Sequence, residues 1–141
     1  MHGFDLSAGI AYTDATFTTT NATIRTLKGA TLPNVPRWTV NLEGNYRWSL
    51  TAGTDAYLHG DYQYAGHRYS DLPLSTTNVD QPGYGIVNLR AGLSHGPWDV
   101  SLFVKNVADT RAILYTAISS GLNYVSINTP RTIGAEISLR F

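Results

Sequence analysis

The segment GLSHG at residues 92–96 is the closest approach of this chain to a catalytic motif, because Gly92, Ser94 and Gly96 fit the pattern of a nucleophilic serine elbow. That chemistry needs the serine on a sharp turn from strand to helix, with an acid and a histidine later in the chain. Here an apolar alternation runs into the motif and resumes at Trp98, which makes the context strand, short turn, strand, and no histidine follows His95. No catalytic residue is assigned, and the chain is not read as an enzyme. Gly83 and Gly85 lack the third glycine and the following helix of a dinucleotide site. The histidines His2, His59, His67 and His95 show no paired metal spacing, and with no cysteine there are neither thiolate ligands nor disulfides. No cofactor and no metal is therefore expected.

The elements that must position any remaining chemistry are legible from composition and period. At 141 residues the chain is one domain or less. Only 14 % of residues are charged, against about 25 % in an average soluble domain. The formal net charge of zero argues against nucleic acid as a partner. No apolar run approaches the roughly 18 residues of a transmembrane helix, and the mean hydropathy is −0.14. Met1 is followed by HGFDLSAG, which lacks the basic start and apolar centre of a signal peptide, so any export signal is expected outside this sequence.

Apolar residues recur at every second position, the period of a strand with one apolar and one polar face. In PRWTVNLEGNYRW, Trp38, Val40, Leu42, Gly44, Tyr46 and Trp48 share one face and Thr39, Asn41, Glu43, Asn45 and Arg47 the other. The same period runs through GFDLSAGIAYT, AYLHGDYQY, YGIVNLRAGLSH, WDVSLFVKN (where Phe103 breaks the pattern) and the closing PRTIGAEISLRF. These segments predict about six long antiparallel strands. Their connections alternate between short ones, SLTAGT and HGP, and long ones rich in Thr, Ser, Asn and Gly. Short turns at one end and long loops at the other are the pattern of an outer-membrane β-barrel. Tyr46, Trp48, Trp98 and Phe141 fall beside the short turns, and Tyr12, Trp38, Tyr62, Tyr64 and Tyr84 toward the long loops. Two separated aromatic belts suit the two interfaces of a bilayer. The fold class is accordingly all-β: an up-and-down antiparallel meander of about six strands, a segment of a large transmembrane β-barrel. The competing expectation is a soluble β-sandwich in which the aromatics form the core.

With the short turns on the periplasmic side, the last strand ends there. Ile137, Leu139 and the terminal Phe141 then resemble the carboxy-terminal signal read by the barrel-assembly machinery. On the opposite face Glu43, Arg47, Asp61, Arg90, Lys105, Glu136 and Arg140 are expected to point into the lumen. Tyr69, Arg111, Tyr115 and Tyr124, in the long loops, are candidates for contact with an external ligand.

The segments LPNVPRWTVNLEGNYRW, PGYGIVNLRAGL, WDVSLFVKNVADTR and PRTIGAEISLRF together resemble the last part of a TonB-dependent outer-membrane receptor. Lys105, Asn106 and Asp109 stand where that family has its KN-hydrophobic-x-D segment, and Leu139 replaces a penultimate aromatic. The resemblance implies a 22-stranded barrel filled by an amino-terminal plug, of which residues 1–141 would be a carboxy-terminal segment without the plug and the earlier strands. It implies energised uptake of a scarce nutrient such as an iron–siderophore complex, in the outer membrane of a Gram-negative bacterium. The implied partners are membrane lipid, the rest of the receptor, the energy-transducing inner-membrane complex reached through the amino-terminal part, and the assembly machinery. The alternative is a structural or adhesive barrel segment without active transport.

Overall fold

Long alternating stretches of β-branched, aromatic and aliphatic residues have nowhere to place their apolar side except on one face of a sheet, and the chain builds one large sheet from them. The computed structural model describes residues 3–140 apart from 25, 120 and 121. Its strands are β1 (Gly3–Tyr12), β2 (Trp38–Thr51), β3 (Thr54–Ala65), β4 (Arg68–Tyr69), β5 (Asp80–Gln81), β6 (Tyr84–His95), β7 (Trp98–Lys105), β8 (Ile113–Ser119), β9 (Leu122–Ile127) and β10 (Thr132–Leu139). The main sheet has the order β1-β2-β3-β6-β7-β10, with every neighbouring pair antiparallel. These are the six expected strands in the expected meander. The sheet does not close, and β1 and β10 are its edges.

The turns explain the direction of the meander. Gly53 and Gly96 adopt φ of +79° and +54° in the tight connections β2–β3 and β6–β7, a region costly for any residue with a Cβ. Near the first turn the ladder shifts between Ser49 and Thr51, which leaves Leu50 as a bulge. The long connections leave from the opposite end of the sheet, and they are not irregular. Two of them form hairpins of their own, β4–β5 and β8–β9, where the sequence predicts loop. The long connection from β1 to β2 carries two isolated bridges, Thr16↔Thr31 and Asn21↔Thr26.

The register settles which residues share a face, since directly opposed residues in an antiparallel pair point the same way. Tyr12↔Trp38, Leu42↔Tyr62, Leu58↔Ala91, Ala91↔Leu102 and Leu102↔Ala135 run the apolar face across all six strands. Tyr12 packs on Trp38 with ring centres 4.9 Å apart at the long-loop end, and Tyr46 on Trp48 at 5.1 Å at the other. Two residues fall differently from the simple belts. Tyr84 opposes Ala65, which opposes Thr39, so it lies at the long-loop end but on the polar face. Phe103 opposes Arg90 and Gly134, also on the polar face, so the break in the alternation of β7 is an aromatic placed among charges rather than a change of register.

Nothing among the described residues covers the apolar face. Among the described residues only Ala56 and Ala112 are buried hydrophobics, while Leu102, Ile137 and Ile133 are 66 %, 68 % and 73 % exposed. The accessible surface is 9506 Å². A compact monomer of 15.4 kDa exposes about 7,200 Å². A sandwich needs a second layer over its apolar face, so this arrangement rules that alternative out. The isolated chain is expected to associate or aggregate on refolding and to need detergent, because a bare apolar face with two open edges invites pairing. Size-exclusion chromatography without detergent tests this, and a sharp monomer peak with cooperative unfolding would refute it.

Candidate functional site

On the polar face the side chains are joined into three groups. Along the upper half, Asn45 Nδ2 donates to Glu43 Oε1 at 3.3 Å, and His59 Nδ1 lies 2.7 Å from Asn45 Oδ1. The His59 ring also lies within 4 Å of both Glu43 and Asp61 (3.9 and 3.7 Å). Asn88 Nδ2 donates to Asp61 Oδ2 at 2.8 Å, and the Asn106 backbone N–H donates to Asn88 Oδ1, also at 2.8 Å. The chain of contacts thus crosses from β2 to the end of β7. Nearer the middle, Arg90 Nη1 donates to Ser101 Oγ and to Glu136 Oε2, at 2.9 and 2.8 Å. Toward the short turns, Asp99 accepts Tyr57 Oη–H and Ser94 Oγ–H at 2.9 and 2.6 Å, and Arg47 and Arg140 line the same hollow.

Aromatic rings and glycines organise this face. The guanidinium of Arg90 and the ammonium of Lys105 lie 5.3 and 5.6 Å from the centre of the Phe103 ring, and Arg47 lies 5.6 Å from that of Tyr57. Such pairs contribute about 0.5–1 kcal/mol each where exposed. The Phe103 ring lies over Gly134 and the Tyr57 ring over Gly92, where a Cβ would overlap either ring. The glycines therefore act as seats, and the rings on them cover strand backbone that no side chain of the glycine could shield.

The KN-x-x-D segment has a local structural role. Asn106 and Asp109 both adopt φ of +52° and fold the chain back immediately after β7. The Asn106 amide is buried, donates to Thr110 O and Thr129 O at 2.9 and 3.0 Å, and accepts the Thr110 N–H at 2.9 Å. Asn128, from the far end of the same loop, donates to Thr110 O and accepts the Ala112 N–H. Asp109 accepts the Arg131 N–H at 2.8 Å and pairs with Arg111 at 3.0 Å, which together hold its carboxyl below the ordinary carboxylate range. The result is a clasp that closes the base of residues 106–131 and aims the β8–β9 hairpin.

Above the sheet the long loops are tied to one another. Arg68 is buried, donates to the carbonyls of Ile113 and Leu114 at 2.9 and 3.2 Å, and lies over the Tyr84 ring at 5.5 Å. Gln81 is fully buried and donates to Thr116 Oγ1 at 3.4 Å. The Asn34 backbone N–H and side chain donate to the carbonyls of Tyr69 and Ser70. At the tip of the second long loop, Asp71 accepts Ser75 Oγ–H, Thr77 Oγ1–H and the Leu72 N–H, at 2.6, 2.6 and 2.7 Å, which lowers its pKa from the ordinary 3.8. A carboxylate with a depressed folded pKa stabilises the loop above its unfolded pKa, and that contribution is lost as pH falls through the folded value. Residues 71–78 are expected to keep their protection between pH 5 and 8 and to lose it progressively as pH falls below the ordinary carboxylate range toward the depressed folded value, with Asp71→Asn open throughout. Hydrogen exchange of the Leu72 and Thr77 amides measures this, and protection in Asp71→Asn equal to the parent's at pH 7 would contradict it.

All seven expected polar-wall residues share one face or continue its phase, Arg140 lying one residue beyond β10. Arg90 meets Glu136 directly and Glu43 meets Asp61 through His59, whereas Lys105 forms no ion pair among the described residues. Ile137 and Leu139 lie on the apolar face opposite Val100 and Trp98, and Phe141 falls outside the described residues. The GLSHG segment is a strand end and a turn: Ser94 donates to Asp99, and His95 Nδ1 sits 2.8 Å from Thr54 Oγ1. Of the loop candidates, Tyr115 and Tyr124 share one exposed face of the β8–β9 hairpin, Tyr69 stacks edge-on against His67, and Arg111 is held by Asp109. Sequence reading missed Tyr57, Phe103, Asn88, Arg68 and Gln81, since only the register and the loop packing bring them to their partners.

A sequence model described as TonB dependent receptor-like, beta-barrel matches residues 1–107, three quarters of the chain. The chain belongs to this family. Its members are outer-membrane transport receptors, and in this receptor barrel segment the matched region spans β1 to the end of β7. No solved structure matches the chain significantly.

Proposed function

We propose that the chain is the carboxy-terminal wall of a receptor for energised uptake of a scarce nutrient such as an iron–siderophore complex, set in the outer membrane of a Gram-negative bacterium. The observation that supports it best is the division of one sheet, in a chain of this receptor family, into a bare apolar face with two aromatic belts and a face of linked polar groups. In this reading the apolar face meets lipid, while Glu43, Arg47, Asp61, Arg90, Lys105, Glu136 and Arg140 line the lumen against water and the plug. The remaining strands and the plug belong to the same receptor, and the plug's amino-terminal part engages the inner-membrane energy-transducing complex.

The test is uptake by cells carrying or lacking the receptor gene under iron limitation. Loss of energy-dependent uptake of one ferric chelate on deletion is expected. Unchanged uptake of every chelate supplied, with loss of surface attachment instead, would favour a structural or adhesive barrel.

The alternation through Ile133, Ala135, Ile137 and Leu139 to Phe141 supports a second part of the proposal, that this strand carries the signal for the assembly machinery. Deleting Phe141 is expected to lower the outer-membrane level severalfold while changing the melting of barrels already assembled only slightly. One interfacial aromatic contributes about 1.5–3 kcal/mol by burial, a small part of a large barrel's stability. Melting and surface level falling in proportion would reduce Phe141 to a belt residue.

A further inference from the structure

The apolar face is not evenly filled. In one row of the ladder Leu6, Gly44, Gly60 and Leu89 stand side by side across β1, β2, β3 and β6. The two glycines are directly opposed, so neighbouring strands lack a side chain at the same height. The next row toward the long loops carries Leu42 and Tyr62, and the next toward the short turns carries Tyr46 and Leu58. Side chains thus flank the bare pair on all four sides. The hollow over it measures about 210 Å³, and Leu6, Leu42, Tyr62 and Leu89 line it. Gly85, opposite Tyr64 on the same face, is not bare, because a Cβ there would meet the Tyr62 ring at 2.7 Å. Tyr62 therefore leans toward the long loops, away from Gly60, and leaves the pair open.

The depth of the hollow is fixed by the belts. Gly44 lies six residues from Trp38 and four from Trp48 along β2, about 15 and 10 Å of bilayer normal at about 3.3 Å per residue and a tilt near 40°. That is close to the middle of the apolar band, where the acyl chains of the two leaflets end. A hollow lined this way does not hold water, and left unfilled its lining forfeits dispersion contacts. A stable protein neighbour needs roughly 800 Å² of matching surface on each partner, far more than one hollow supplies, whereas the end of a hydrocarbon chain fits it. We propose that the Gly44–Gly60 hollow seats the end of a lipid acyl chain at the middle of the bilayer. The glycine pair is the floor, and Leu6 and Leu89 are the movable sides. The proposal rests on the receptor reading in one respect, that the apolar face meets lipid.

The experiment is photo-crosslinking of the intact receptor in vesicles of phosphatidylethanolamine and phosphatidylglycerol, with a phosphatidylcholine probe carrying a diazirine at the end of one acyl chain. Adducts are located by mass spectrometry. Those on Leu6, Tyr62 and Leu89 are expected to exceed those on Leu102 and Ile133 at least about threefold, although Leu102 and Ile133 are more exposed than Leu89 on the same face. In Gly44→Leu the excess is expected to vanish, and in Gly44→Ala to be halved or so; a Cβ at Gly44 meets nothing closer than Leu6 Cδ1 at 3.9 Å, so both variants fit the fold. Ala135→Leu, on the same face outside the hollow, is expected to keep the excess. A probe with its diazirine beside the headgroup is expected to show none. An even spread of adducts over the face, an excess that survives Gly44→Leu, or capture of a second protein at these residues in place of lipid overturns the proposal. Failure of the receptor reading looks different. Lipid adducts missing from Leu102 and Ile133 as well would show that the face does not meet lipid, whereas adducts there without the excess reject the hollow alone.

Discussion

Leu102→Arg is expected to cost about 2–4 kcal/mol of membrane-embedded stability in the intact receptor, whereas Asn41→Arg is expected to cost less than about 1 kcal/mol. Leu102 lies on the apolar face between Ala91 and Ala135 and is 66 % exposed from the chain. It stands four residues along β7 from Trp98, about 10 Å of bilayer normal at about 3.3 Å per residue and a tilt near 40°. That places it close to the midplane, where water cannot reach an arginine without deforming the bilayer. Asn41 occupies the polar face opposite Gly9 and Gln63, and it is exposed. Ser101, equally polar by alternation, is no equivalent control: it is 2 % exposed beneath Arg90, so a larger side chain there would break the Arg90–Ser101–Glu136 group. Folding titrations in lipid vesicles measure the difference. Equal losses at Leu102 and Asn41 would overturn the assignment of faces.

Asn106→Ala is the second large effect. The substitution removes two donors and one acceptor that hold Thr110 and Thr129 at the loop base. The Thr110 and Thr129 carbonyls keep Asn128 Nδ2 as a donor, but the Thr110 N–H loses its acceptor, and a buried backbone group left unpaired costs about 1–3 kcal/mol. A further 1 kcal/mol, roughly, comes from placing alanine at positive φ. The clasp is local, so the loss is expected to appear as opening of residues 106–131 while the sheet stays intact. Amide exchange at Thr110, Ala112 and Arg131 should rise at least about thirtyfold, since each 1.4 kcal/mol is a factor of ten, with β2 and β3 amides unchanged. Asn106→Asp keeps the acceptor for Thr110 N–H and should fall between parent and alanine. Unaltered exchange at the loop base in Asn106→Ala would show that Asn128 and Asp109 suffice to close it.

The sequence by itself determined the elements that follow from period and turn chemistry. Alternation has a strict period of two, so Trp38 to Trp48 and Ile133 to Leu139 could be assigned to faces without coordinates. Gly53 and Gly96 mark the tight turns because positive φ is cheap only there. The order of the main strands, β1-β2-β3-β6-β7-β10, followed from the alternation of short and long connections. Loop structure was not legible in the same way. ILYTAIS and LNYVSI pair as β8 and β9, but their Ser, Thr and Asn content matches that of a loop, and short apolar runs do not declare their partner.

What only the tertiary structure decided were contacts across strands and between loops, whose partners lie tens of residues apart. Phe103 looked like an error in the alternation until the register set it over Gly134 between Arg90 and Lys105. Tyr84 looked like a belt residue until Ala65 fixed it on the other face, beneath Arg68. Arg68 itself carries no sequence signal, because what makes it unusual is burial without a carboxylate, a property of its surroundings and not of its neighbours in the chain. Local pattern encodes which way a side chain points from its own strand. Which side chain it meets depends on pairing and loop packing, where the free energy comes from groups that sequence proximity does not join.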